Sequence, residues 1–211
     1  MNPITEADVI GINQNLIATF SPKEFFGVKY PNLLDSAVNR PFQTMFGKSL
    51  YPDIFDKAVA LFESLAKNHP FHNGNKRTAF GAMTYFLYIN DHICYMNNED
   101  AADLAVDFVT GKLSFESVVH IVKGKTYRKS SWKVWLDHDQ NEMSKYVYGT
   151  NKNAMMVRET SDVIYVAKEI NEKTKEEVKN EVFANAIPFD VEIFQAIVDM
   201  YYDAFKDLVN R

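Results

Sequence analysis

The sequence predicts an all-α fold, a helical bundle with an added, mostly helical C-terminal segment. Three observations carry that expectation. Apolar residues recur at i, i+3, i+4 spacing along most of the chain. Glycine and proline, which interrupt helices, number only 8 and 7 among 211 residues. Capping residues stand just ahead of several of the apolar runs. With 46% apolar residues, a chain of this length can bury a real core, roughly 70% of its unfolded surface.

Taken in order, Thr5 or Asp8 can open a first helix with Val9, Ile12, Leu16 and Ile17 on one face. Residues 32–40 read as a short helix ended by Pro41, because the residue before a proline avoids the helical region. The stretch 41–51 contains Gly47 and mixed residues, so a loop or small hairpin is expected. Pro52 suits the first turn of a helix. In that helix Ile54, Phe55, Ala58, Val59, Phe62 and Leu65 recur at helical spacing up to Asn68. A second stripe, Ala79, Phe80, Met83, Phe86 and Leu87, runs to Asn90. Asn97 to Asp100 form a capping cluster for a helix over 101–109 closed by Gly111. Ser114 opens another that ends near Gly124.

The basic, polar stretch 123–133 is the best boundary, dividing the chain into 1–128 and an accessory segment 129–211. Residues 132–148 show no clean period. Thr174 and Glu177 fit a capping box, and Asp190 can cap a last helix in which Phe194, Ile197, Val198, Tyr201, Phe205 and Leu208 form one stripe. That stripe reads as core before it reads as a partner groove.

A formal charge of −5 argues against a nucleic-acid binder working through bulk electrostatics, so any cationic site must be local. One cysteine, Cys94, cannot form an internal disulfide and fits a reducing compartment. The apolar run 79–89 is too short to span a bilayer. The N-terminal residues lack the basic and apolar regions of a signal peptide. A cytoplasmic protein, with no membrane association, is the expectation.

Chemistry concentrates in His69-Pro70-Phe71-His72-Asn73-Gly74-Asn75-Lys76-Arg77. His69 ends one predicted helix and Asn75 begins the next. A helix start leaves N–H groups pointing outward with partial positive charge, a ready place for phosphate. Gly74 lets the backbone approach an anion, while Lys76 and Arg77 add charge. Asn73 and Asn75 offer amides to oxygens or to Mg²⁺. His69 titrates near neutrality and can take a proton from an attacking hydroxyl. Pro70 and Phe71 serve as scaffold, one stiffening the turn and the other anchoring it. By composition alone, the same nine residues read more simply as a polar turn between two helices. No Walker-type phosphate loop is present.

Resemblance moves the balance. The run resembles the signature of the Fic/Doc family, H-x-F-x-[D/E]-G-N-[G/K]-R, at His69, Phe71, Gly74, Asn75, Lys76 and Arg77. The preceding residues 51–58 and 68–71 resemble the helix that leads into this motif in Doc-like members, and the likeness extends over roughly residues 1–125. It implies a helical bundle that transfers a phosphate or AMP group from ATP to a hydroxyl of a target protein. It makes His69 the general base, and Gly74, Asn75, Lys76 and Arg77 the lining of the anion hole. Residue 73 normally carries an acid that holds Mg²⁺; here it is Asn73, a poorer ligand for a hard cation.

Lys76 stands where AMP-transferring members have Gly, and Phe80 where they have a second Arg. Both differences point to a Doc-like kinase, a protein phosphotransferase expected to be the toxin of a toxin–antitoxin pair, with a separate antitoxin protein as partner. AMP or NMP transfer, or a non-catalytic protein-binding module, are the alternatives. The family places a target-aligning flap where residues 40–51 lie, though a plain connecting loop fits those residues as well. An inhibitory S/T-x-x-x-E-G/N run is absent from the sequence. His72 is expected to face solvent. His92, His120 and His138 lack metal-ligand spacing, and Cys94 is expected to be a small buried residue.

Overall fold

The computed structural model describes residues 1–129 and 189–211. Among them, eight α-helices surround one hydrophobic core, with two small antiparallel strand pairs at its margin. In chain order they are α1 (Glu6–Phe20), α2 (Pro31–Asn39), α3 (Ile54–Asn68), α4 (Asn75–Ile89), α5 (Asn98–Val109), α6 (Phe115–Gly124), α7 (Val191–Met200) and α8 (Tyr202–Asp207). Strands β1 (Thr44–Met45) and β2 (Lys48–Ser49) form a hairpin, and β3 (His92–Cys94) pairs with β4 (Thr126–Arg128).

The caps behave as their chemistry requires. Thr5 accepts from the Asp8 N–H while the Asp8 carboxylate returns a bond to Thr5, a reciprocal box that opens α1. Asn97, Ser114 and Asp190 cap α5, α6 and α7. At α3 the cap is Asp53, so Pro52 lies before the helix and not in its first turn. The reason is local: the Asp53 carboxylate takes the Phe55 N–H at 3.2 Å, and Asp56 closes the box from inside.

α4 is the axis of the bundle. Every residue from Arg77 to Leu87 is buried, because α1, α3, α5 and α7 all pack against it. The expected one-sided stripe is therefore only part of its contact surface. Gly81 sits where neighbouring helices approach the backbone closely: an added Cβ would lie 3.2 Å from both Ile12 and Phe194. Phe80 is fully buried in an aromatic group with Phe62, Tyr201 and Phe205. Burial of a ring this size is worth about 1.5–3 kcal/mol.

Core packing continues beyond residue 128. Phe194, Val198, Tyr201 and Phe205 lie in the same cluster as α1, α3 and α4. The stripe expected as one helix is divided into α7 and α8 at Tyr201. Tyr201 is buried, its hydroxyl donating to the Cys94 carbonyl at 2.8 Å and accepting from the Met96 N–H at 3.3 Å. Anchoring that polar tip at the end of β3 fixes the break. The pairing of β3 with β4, which helical periodicity did not anticipate, carries the chain across the expected boundary region. Residues 132–148, the Thr174 to Glu177 capping box and His138 lie outside the described residues. No described helix is long and apolar enough to cross a membrane.

The segment 41–51 forms the β1–β2 hairpin with a fixed base and a free tip. Arg40 holds Glu63 at 2.6 Å, Ser64 at 2.9 Å and the Tyr51 hydroxyl at 2.8 Å, tying both ends of the segment to α3. At the tip Phe46 and Gly47 both have positive φ, and Phe46 is 95% exposed. Cys94 is buried, and burial pushes its thiol up to about 11, which leaves it protonated and inert.

Candidate functional site

The nine-residue run predicted to carry chemistry spans the end of α3, a short loop and the start of α4. His69 is the C-terminal cap of α3, in the left-handed conformation at φ 51°, ψ 55°, and it is exposed. That conformation turns the chain away from the helix axis and leaves His69 facing solvent. Pro70 and Phe71 are buried, Phe71 at 2% exposure. Asn75 secures the loop from inside. Its Oδ1 accepts the Phe71 N–H at 2.9 Å, and its Nδ2 donates to the Phe71 carbonyl at 3.0 Å. The Asn75 side chain is thus committed to the backbone, so what it can offer an anion is its own N–H.

α4 begins on Gly74, at φ 71°, with no side-chain cap and no acid in the first turn. The first helical bond is from the Thr78 N–H to the Gly74 carbonyl, at 2.8 Å. The N–H groups of Asn75, Lys76 and Arg77 precede it, the orphan donors of any helix start. An ordinary residue at 74 would pay for the left-handed backbone, and its Cβ would lie 2.9 Å from Ile17 Cδ1 and 3.4 Å from Asn13 Nδ2. Glycine therefore keeps this helix start both bare and closely seated on α1.

The two cations already have acceptors. Lys76 Nζ donates to the main-chain carbonyl of Arg211 at 2.6 Å, while the Arg211 guanidinium pairs with Asp103 and Asp207. Arg77 is 3% exposed; its Nη1 donates to Ser21 Oγ at 2.9 Å and its Nη2 to Glu24 Oε2 at 3.2 Å. Burial draws the Arg77 guanidinium below its ordinary value, and the Glu24 carboxylate opposes that. An arginine stays charged through such a shift.

Ser21 and Glu24 belong to a wall that the sequence did not reveal. The loop from Ser21 to Tyr30 lies along the motif and is bonded to it repeatedly. The Lys29 and Tyr30 N–H groups both donate to the Pro70 carbonyl, at 2.8 and 3.1 Å, and Val28 pairs with Phe71 as a single bridge. The His72 N–H donates to the Gly27 carbonyl at 3.1 Å. Asn73 Nδ2 donates to the Phe25 carbonyl at 2.8 Å. His72 is exposed, as expected, with its ring 4.7 Å from that of Phe25 in an edge-on contact.

A further missed residue is Asn13 on α1, fully buried, whose Nδ2 donates to the Asn73 carbonyl and to Thr78 Oγ1, both at 2.9 Å. Its Oδ1 has no partner among the described residues. A signal for it existed: Asn13 interrupts the apolar face made by Val9, Ile12, Leu16 and Ile17. Nothing comparable marks Ser21 or Glu24, which stand in an irregular stretch.

The arrangement brings an exposed imidazole and an open, positively polarised helix start into one short loop. It does not bring together a metal centre. No group of three or more His, Cys, Asp or Glu that could hold a metal ion occurs among the described residues. Asn73, the position expected to meet Mg²⁺, is neutral and has its amide nitrogen turned to the Phe25 carbonyl. These residues do not fit a protein-held Mg²⁺. His92 bonds the Asn90 carbonyl through Nδ1 at 2.7 Å, and His120 is exposed on α6.

Comparison with known proteins bears on the same region. Residues 3–87 match the model of the Fic/DOC family. The chain is similar to the protein named Toxin Doc of Mycolicibacterium smegmatis, 55% identical over 58 residues, which cover 28% of this chain and 45% of that protein. It is also similar to Protein kinase doc of Escherichia phage P1, 27% identical over 97 residues, 46% of this chain and 75% of that protein. The match to the first relative thus spans less than half of that relative's length.

Proposed function

We propose that the protein, whose residues 3–87 match the model of the Fic/DOC family, is a Doc-like phosphotransferase that moves the γ-phosphate of ATP to a hydroxyl of a target protein. The observation that carries this reading is the bare start of α4 beside His69: three helix-terminal N–H groups, no cap, no acid, and an exposed imidazole one turn of loop away. In this reading the target hydroxyl attacks phosphorus, its proton passes to the His69 imidazole, and the bond to ADP breaks with ADP leaving. Asn75, Lys76 and Arg77 donate N–H groups to the phosphate oxygens as charge develops on them, and the Lys76 ammonium adds a point charge. Mg²⁺ enters as part of the nucleotide substrate.

Phosphate transfer is favoured over AMP transfer by Phe80. The position at which AMP-transferring members carry a second arginine is here sealed in the core among Phe62, Tyr201 and Phe205. No second motif cation can reach a phosphate from there. The catalytic unit we propose is residues 1–128, with the segment 129–211 supplying α7 and α8 to its core. The name of one relative, Toxin Doc, supports a toxin role; a cytoplasmic site of action and an antitoxin protein as inhibitor complete the proposal.

The test uses the purified chain with cell lysate and ATP labelled at either the α or the γ phosphate. Label from the γ position should appear on protein. His69→Ala should reduce it by about 10²- to 10⁴-fold, the range for loss of a general base, with little change in thermal midpoint because His69 is exposed. Label from the α position would replace the kinase reading with NMP transfer. Absence of both labels from wild type would leave a non-catalytic binding module.

A further inference from the structure

We propose that Asn73 is a positioning residue whose amide pins the Ser21–Tyr30 loop against the motif, and that its neutrality is a requirement of that task. The proposal rests on the functional reading above only for its turnover arm.

The acceptor decides the chemistry. Asn73 faces the main-chain carbonyl of Phe25 at 2.8 Å, and a carbonyl can only accept. The group opposite must therefore be a donor, which fixes the amide's orientation with Nδ2 inward. An aspartate has no proton to give at neutral pH. It would set a carboxylate oxygen against a carbonyl oxygen at hydrogen-bond distance, an unsatisfied and repulsive pair. The acid that would suit a metal at this position thus cannot make the bond to the Phe25 carbonyl.

The bond sits where its loss propagates. On one side of it the His72 N–H holds the Gly27 carbonyl, and on the other the Asn73 carbonyl accepts from buried Asn13. Farther along the same loop, Ser21 and Glu24 hold the Arg77 guanidinium. Asn73 joins three elements: α1 through Asn13, the loop through Phe25, and α4 through the residues it precedes. Releasing the Phe25 carbonyl loosens the loop that orients Arg77, so Asn73 acts on the anion site through its neighbours and not by touching a ligand.

This makes a ranking that differs from that of a metal ligand. As a ligand, position 73 should improve from Ala to Asn to Asp. As a donor to Phe25, it should be best as Asn, poorer as Ala and poorest as Asp.

The experiment is amide hydrogen exchange on the full chain, without nucleotide, for wild type, Asn73→Ala and Asn73→Asp. Exchange at the Lys29, Tyr30 and His72 amides should accelerate at least tenfold in both variants, with Asp the faster, while core amides of α3 and α4 keep wild-type protection. A wild-type arm needs no variant to fold. The Asn73 side-chain NH₂ resonances should show one protected proton and should not move as magnesium chloride is added to millimolar levels.

In turnover, both variants should raise the KM for ATP about tenfold and leave the Mg²⁺ concentration for half-activity unchanged. Unchanged loop exchange in both variants would overturn the proposal. So would a saturable Mg²⁺ shift at the wild-type Asn73 amide, or tighter Mg²⁺ binding in Asn73→Asp. If wild type transfers no label at all, the functional reading fails, and the exchange and resonance arms still decide this one.

Discussion

α3 and α4 are neighbouring helices of 15 residues each, and they begin in opposite ways. α3 starts on Asp53 in extended conformation, φ −87°, ψ 155°, with its orphan N–H groups answered by a reciprocal box and Lys123 bonded to the cap at 3.1 Å. α4 starts on Gly74 in the left-handed conformation, with no side chain able to answer. A helix start can spend its N–H groups on its own stability or leave them for a ligand. The first does the former, and the second leaves them open, its cost being met by the surrounding loop: Asn75 on Phe71, Asn13 on the Asn73 carbonyl, and the 21–30 wall.

Gly74→Ala strikes the open start, and should have the largest effect. The left-handed backbone costs an ordinary residue roughly 1–2 kcal/mol, and the new Cβ meets Ile17 Cδ1 and Asn13 Nδ2. Urea denaturation should show about that loss or somewhat more, and phosphate transfer should fall beyond what the stability change explains. An unchanged midpoint would mean that the seat on α1 is looser than its contacts imply.

Asp53→Ala strikes the closed start. Loss of the cap should cost about 1 kcal/mol and leave transfer activity intact. Burial acts to raise the Asp53 carboxyl, but the Phe55 N–H and the Lys123 ammonium outweigh it, so its value is held below the ordinary range. A carboxylate lowered in the folded state stabilises above its unfolded value and loses that contribution as pH falls through the folded one. The gap in stability between wild type and variant should therefore narrow below about pH 4, where denaturation curves should converge. A gap constant down to pH 2 would assign the loss to packing and not to the charge.

Gly47→Ala sharpens the comparison from outside. Gly47 has φ 75°, nearly the value of Gly74, yet nothing lies within 4 Å of an added Cβ. The same backbone strain then falls on a hairpin tip that can yield locally. The free energy of global unfolding should fall by about 0.5 kcal/mol or less. A loss as large as that at Gly74 would show that the tip is coupled to the core.

Much of this was readable in the chain itself. Thr5, Asn97, Ser114 and Asp190 sit where a cap is needed and do cap, because a cap bonds to the N–H two or three residues on, a distance that sequence spacing sets. The end of α3 at His69 and the start of α4 at Asn75 were legible from the apolar stripes that stop and resume on either side of the motif. Gly111, at φ 78° just past α5, behaved as a helix stop should. Pro52 misled by two residues, since proline and Asp53 both suit a helix start and only the Asp56 box decides between them.

What the chain alone could not disclose were partners distant in sequence. Glu24 and Ser21 reach Arg77 across more than fifty residues, Lys76 reaches Arg211, and Tyr201 reaches the end of β3. Each depends on where α1, α4 and α8 come to rest, which packing determines and no local pattern encodes.

The sequence by itself determined the helices, the motif loop and the chemical kinds of its groups, since spacing, caps and side-chain types are properties of neighbours along the chain. Only the tertiary structure decided which of those groups remain available. It spent the Asn75 amide on Phe71, buried Arg77 against Glu24, placed Phe80 in the core, and turned Asn73 toward the Phe25 carbonyl. A buried polar group must find a partner wherever the fold provides one, and the fold is where those partners were chosen.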